Sequence, residues 1–170
     1  DFDLAALTLS GDLIVTSTGG SITDSGALAI SGTSSLTTSA SNEDITLDVT
    51  TNAYTGTVTL STTGSTGNAT VDGGTTRLDI AASTVGGNLT LTSGHPTGIT
   101  DSGTVTVGGN LAATTDAGNG VINMGTLAVD GTIALATHGN GAATVVNDAG
   151  LNFGASTVGG NLAATATTGN

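Results

Sequence analysis

The sequence has no cysteine and no tryptophan, and its 170 residues include one proline, one methionine, one tyrosine and two phenylalanines. Without cysteine there is no disulfide, no thiolate metal site and no thiol nucleophile. So few aromatic rings cannot fill a bulky globular core. Positive charge is nearly absent too: Arg77 stands alone against thirteen acidic residues, for a formal net charge of −12. Nucleic acids and anionic membrane surfaces are bound by clustered Lys and Arg, so both partner classes are excluded. Long apolar runs are missing as well. Leu13-Ile14-Val15 is among the longest aliphatic stretches, far below the roughly 20 residues that span a bilayer, and Asp1 is not followed by a basic-then-apolar leader. What remains is a chain of Gly, Ala, Ser and Thr with 36% hydrophobic and only 8% charged residues. That balance buries surface, and it predicts an ordered chain.

Internal repeats organise the sequence. The word VGGNL stands at 85–89, 107–111 and 158–162, and VDGTI at 129–133, LSGDL at 9–13 and ISGTS at 30–34 follow the same plan. Anchors at 85, 107 and 129 are evenly spaced, and those at 9 and 30 are closer by one, so a short period of about 22 residues runs along the chain. A longer period overlies it: ITDSG at 22–26 returns at 99–103, the GT(V/I)xL word at 56–60 returns at 131–135, and STVGGNL at 83–89 returns at 156–162. With Tyr54 placed at the Val129 position, seven coils begin at 9, 30, 54, 85, 107, 129 and 158. The coils are unequal, at roughly 21–31 residues each, and the register is loosest over 34–84.

Within a coil the pattern has period two. In TVTV at 104–107, Val105 and Val107 face one way and Thr104 and Thr106 the other, as in a half-buried strand. Gly, Asn and Asp punctuate the strands with turns that tolerate left-handed backbone. Stacked coils pair each backbone with the coils above and below, so an all-β parallel solenoid is predicted, its narrow interior filled by Leu, Ile, Val and Ala. Val85, Val107 and Val129 are expected in one core column. Gly86, Gly87 and Asn88, Gly108, Gly109 and Asn110, and Gly159, Gly160 and Asn161 are expected as structural turns, with the three asparagines stacking as an amide ladder.

The words VGGNLTLTSG, ITDSGTVTVGGNL and ITDSGALAISGT resemble the degenerate repeats of filamentous-haemagglutinin-like exoproteins, β-helical adhesins of Gram-negative bacteria exported by two-partner secretion. The resemblance covers essentially the whole chain. It implies a right-handed β-helix, extracellular or attached to the cell surface, that serves as a stalk, fibre or adhesive matrix component.

Candidate chemistry is sparse. His95 in GHPTG and His138 in THGNG occupy equivalent loops two coils apart, and a metal site would need further ligands that the spacing does not supply. Carboxylate clusters of polysaccharide-cleaving β-helices come with basic and aromatic partners, which are almost absent here. Asp24 and Asp101 recur in ITDSG as Asx-type turn residues. No cofactor is expected; calcium is the one cation an acidic extracellular chain leaves open, although the tandem GGxGxDxUx calcium repeat is absent. VGGN leads into a strand with no following Lys, so it is no phosphate loop. Rows of Thr would suit ice binding, yet Thr90 and Thr92 align with Ala112 and Thr114 and then with Ala134 and Ala136, and Thr104 and Thr106 align with Ala27 and Ala29 and then with Thr126 and Ala128, so the rows break. Phe153 continues the alternation from Leu151 into the core.

The expected protein is therefore a non-enzymatic structural or adhesive fibre segment, with a glycan- or ice-binding module as the alternative. The whole of 1–170 reads as one solenoid open at both ends. VGGNLAATATTGN stops partway through a coil and DFDLAALTLSGDL resembles the remainder of one, and joining Asn170 to a following Asp1 keeps the coil phase. End-to-end self-association is the expected partnership, with surface glycans as further partners.

Overall fold

The computed structural model describes residues 1–168. They contain twenty strands and no helix, so no helix is long and apolar enough to cross a membrane. The strands follow from the period-two pattern. In Leu89–Ser93 the side chains of Leu89, Leu91 and Ser93 are buried while Thr90 and Thr92 face outward, and Leu13–Ser17 alternates in the same way. β-branched Thr, Val and Ile suit this pleated, half-buried surface. All pairings between these strands are parallel and join one turn to the next, which makes the molecule a β-solenoid of about eight turns.

One seven-stranded sheet runs the length of the stack, through Phe2–Leu4, Ile22–Asp24, Ile45–Leu47, Ala69–Asp72, Leu89–Ser93, Leu111–Thr115 and Ile133–Ala136. An isolated bridge from Ile133 to Phe153 adds an eighth rung. Each strand of this sheet pairs with the strand one turn on: Phe2 with Ile22, Ile22 with Ile45, Ile45 with Ala69, Ala69 with Leu89, Leu89 with Leu111, and Leu111 with Ile133. The interior behind it is a continuous column in which Ile22, Ile45, Ala69, Leu89, Leu111 and Ile133 are all buried. Each such Leu or Ile contributes about 1.5–3 kcal/mol by leaving water, so stacked aliphatics suffice without aromatic bulk.

The other two faces change partway. A three-stranded sheet joins Leu7–Leu9, Leu28–Ile30 and Ala53–Tyr54 and then stops. Beyond it, the N–H of Tyr54 donates to the hydroxyl of Thr76 (3.0 Å), one turn on and outside any strand. A ten-stranded sheet begins with Leu13–Ser17, Ser34–Ser41 and Val58–Thr63. Val58–Thr63 then carries two strands of the fourth turn, since Ile80 pairs with Val58 and Thr84 with Ser61.

This rearrangement separates the repeated words from the turns. The stretch from Tyr54 to Val85 comprises a full turn, to Thr76, and then part of another, so Val85 does not stack on Tyr54. Likewise Val129 lies against Asn147, whose Oδ1 accepts its N–H (2.8 Å), and Val158 falls further round. The longer recurrences therefore carry each word to a different sheet: Ile22 is in the seven-stranded sheet and Ile99 in the ten-stranded one, whereas Val58 is in the ten-stranded sheet and Ile133 in the seven-stranded one. Phe153 keeps the interior phase through its bridge to Ile133 yet is 38% exposed. The joint between Asn170 and a following Asp1 falls outside the described residues.

Candidate functional site

Val85 pairs with Val107 and Val107 with Val129, and all three are buried. Gly86-Gly87 and Gly108-Gly109 form the corner between the ten-stranded and seven-stranded sheets, where one turn's backbone passes close over the next. A Cβ on Gly108 would lie 2.5 Å from the carbonyl oxygen of Gly86, and one on Gly109 would lie 2.5 Å from Oδ1 of Asn88. Left-handed backbone occurs instead at Asn42, Gly64, Gly74, Gly98, Gly118, Asn119 and Gly139. The double-glycine words thus serve close approach, where the sequence suggested left-handed turns. Gly159 and Gly160 lie at another corner, with the Gly159 N–H on Thr137 Oγ1 (2.9 Å) and the Gly160 N–H on the Gly141 carbonyl (2.8 Å).

The residue entering each strand of the seven-stranded sheet belongs to a hydrogen-bonded ladder. Asp1 Oδ1 accepts from the Ser21 N–H, Ser21 Oγ from the Asp44 N–H, Asp44 Oδ1 from the Asn68 N–H, Asn68 Oδ1 from the Asn88 N–H, Asn88 Oδ1 from the Asn110 N–H, and Asn110 Oδ1 from the Thr132 N–H, all within 3.0 Å. Asn88 and Asn110 are two members. Asn161 is not, because Leu162 after it pairs with Ala143 in the ten-stranded sheet. Asp1, Ser21, Asp44 and Asn68, in no shared word, are further members, and Thr132 ends the ladder. A polar residue just before each interior-facing aliphatic was their only signal.

The recurrent aspartates also bond upward. Asp24 accepts from the Asp48 N–H (3.0 Å) and from Asn52 Nδ2 (2.6 Å), and Asp101 from the Gly125 N–H, the Thr126 N–H and the Thr126 hydroxyl. They brace neighbouring turns, where the sequence suggested closure of their own. Burial pushes the Asp72 carboxyl up, and Asp116, Asp48 and Asp24 add to this, against a lowering bond from the Gly74 N–H (2.7 Å). Burial, then Asp24 and Asp72, likewise raise the Tyr54 hydroxyl. The exposed Asp12 moves down, held by the N–H and hydroxyl of Thr33. Among the described residues no three His, Asp or Glu side chains converge on a place for a metal ion.

His95 and His138 hold equivalent positions in stacked loops. The carbonyls of His95, Ala117 and His138 each accept the N–H three positions on, from Gly98, Gly120 and Gly141. Two turns, about 10 Å, therefore separate the histidines, with Ala117 between. His95 also faces a groove of about 310 Å³ shared with Tyr54, Thr55, Thr75, Thr76 and Arg77. This groove opens where the three-stranded sheet stops, and it gathers the sole arginine, the sole tyrosine and one of the two histidines. Arg77 Nη2 lies 3.2 Å from Asp79 Oδ2, while Asp79 Oδ1 is buried without a partner. A second hollow, about 240 Å³, lies between Thr104, Thr126, Val146 and Asp148.

The outer faces carry hydroxyl rows longer than the words indicate. Thr16, Thr37, Ser61, Thr84 and Thr106 pair in succession on the ten-stranded sheet, and Thr23, Thr46, Thr70 and Thr90 do so on the seven-stranded one. The first row ends at Ala128 and the second at Ala112. Thr106 lies between Thr84 and Ala128, as its alignment with Ala128 suggested, whereas Ala29 pairs with Thr8 on another sheet.

Residues 1–61 and 66–126 each match the model of a family described as repeats of unknown function (DUF5649). The chain belongs to this family. Its two DUF5649 matches begin at positions 1 and 66, nearly the same interval as that from Phe2 to Ala69, which stand three turns apart in the seven-stranded sheet. One family repeat thus spans about three turns. No curated protein and no solved structure matches the chain.

Proposed function

We propose that this DUF5649 segment is a structural or adhesive fibre or stalk element, outside the cell or on the surface of a Gram-negative bacterium, that works without catalysis or cofactor. The observation that supports the reading is the unbroken parallel pairing of each turn with the next along the seven-stranded sheet. Such a stack is a rod of near-constant section, and each turn extends it by about 4.8 Å. Self-association through the same backbone pairing belongs to the proposal, as does contact with surface glycans. Electron microscopy and sedimentation of the purified protein test it. Fibres whose length grows with protein concentration are expected; a protein that stays monomeric at high concentration contradicts the fibre reading.

A second reading, an ice-binding face, is favoured by the hydroxyl row from Thr16 to Thr106. Thermal hysteresis that disappears when Thr84 and Thr106 are replaced by Lys would establish it, and freezing-point behaviour like that of an inert protein would eliminate it.

A further inference from the structure

We infer that the groove between Tyr54, Thr76, Arg77 and His95 is a binding subsite for one neutral sugar unit of a glycan. Of the two hollows described above it is the richer in directional polar groups. Its volume, about 310 Å³, lies at the lower end of the roughly 300–1,000 Å³ typical of small-ligand pockets. Thr55, Thr75 and Thr76 line it, and each hydroxyl both donates and accepts. That suits sugar hydroxyls, which also do both.

His95 has a defined tautomer. Its Nδ1 accepts the Thr97 N–H (3.1 Å) and lies 2.5 Å from the Thr97 hydroxyl. The proton of the neutral ring therefore sits on Nε2, leaving that nitrogen as a donor. Arg77 adds a planar fork of five donors, half-exposed and held from behind by Asp79. Tyr54 lines the groove as well, with its hydroxyl buried in the interior behind it.

Charge selects the ligand class. Asp79 neutralises Arg77, and the carboxylates of Asp24 and Asp72 act on Tyr54 from the adjoining corner. With a net charge of −12, the molecule repels an acidic ligand at long range. A cation entering the groove would meet the guanidinium. A neutral polyol avoids both penalties and suits the threonine hydroxyls, the His95 ring and the Arg77 fork.

The test is titration of the isotope-labelled full chain with glucose, galactose, mannose and N-acetylglucosamine, with glucuronate as the acidic comparison, followed by NMR shifts of the His95 ring and the amides of 75–77. Saturable shifts with a neutral sugar at Kd of about 1–10 mM are expected. Thr75→Trp fills the groove from an exposed position and abolishes the shifts. Arg77→Lys keeps the charge opposite Asp79 but loses the fork, and it weakens binding about tenfold. In both variants the His138 resonances report an intact fold. No saturable shift with any neutral sugar, shifts that survive Thr75→Trp in the folded variant, or saturation by glucuronate alone overturns the assignment.

Discussion

The octapeptide VGGNLAAT occurs at 107–114 and again at 158–165, and the two copies have opposite environments. Leu111 is fully buried, with Leu89 on one side and Ile133 on the other, whereas Leu162 pairs only with Ala143 and is 47% exposed. The backbone carbonyls of Asn110 and Asn161 both accept from the rung below, from the Leu89 and Ala143 N–H groups, and Asn110 Oδ1 also accepts the N–H and hydroxyl of Thr132 on the rung above. Ala143 beneath Leu162 is buried, so Leu162 keeps the interior phase and differs from Leu111 in having, among the described residues, a rung on one side alone. Burial here is conferred by the rung above and the rung below, and the word supplies only the alternation that a neighbour can use.

The sharpest way to break that comparison is to truncate both leucines. Leu111→Ala should cost about 2–5 kcal/mol, and Leu162→Ala no more than about 0.5 kcal/mol, read from urea unfolding midpoints. Equal losses would mean that the word itself determines burial. Close approach of backbones comes next. Gly108→Ala should cost about 1–3 kcal/mol because its Cβ meets the Gly86 carbonyl, while Gly125→Ala, with nothing within 4 Å, should be near neutral by the same measurement. The ladder gives a smaller contrast: Asn110→Ala loses acceptance from Thr132 and about 1 kcal/mol, and Asn161→Ala changes the midpoint little.

A pH titration extends the contrast to charge, with the smallest effects. Asp72 is raised in the fold, so its favourable contribution is complete below the ordinary aspartate value, about 3.9, and is lost as pH rises through the raised value. Asp72→Asn should therefore raise the urea midpoint at pH 7, and the gain should vanish at acid pH. Asp12 is lowered, so its contribution is present above the ordinary value and is lost as pH falls through the lowered one. Asp12→Asn should lower the midpoint slightly at pH 7. Shifts of the same sign in the two variants would contradict the assigned environments.

Much of this architecture was legible because small aliphatics alternate with Thr. The pairing of Val85, Val107 and Val129 follows from equal intervals bounded by the same Gly-Gly and Asp-Gly corners. The face on which each word lies was not legible, because it depends on counting residues through corners whose lengths differ. Nothing in the Tyr54–Val85 interval reveals that Thr76 completes the turn and that the remainder carries the chain on to another strand. The groove was hidden for the same reason. Tyr54, Arg77 and His95 are distant in sequence and meet only because the three-stranded sheet ends between turns three and four.

That change of register is tested most directly by cross-linking in a protein with no native cysteine. Cα atoms of laterally paired residues lie about 4.8 Å apart, inside the roughly 4.4–6.8 Å that a disulfide spans. Thr84 pairs with Ser61 in the structure, whereas stacking by repeated words would put Ala53 beneath it. The double variant Ser61→Cys with Thr84→Cys should form an intramolecular disulfide under mild oxidation, and Ala53→Cys with Thr84→Cys should not. Efficient bridging of the second pair, with none in the first, would contradict the account.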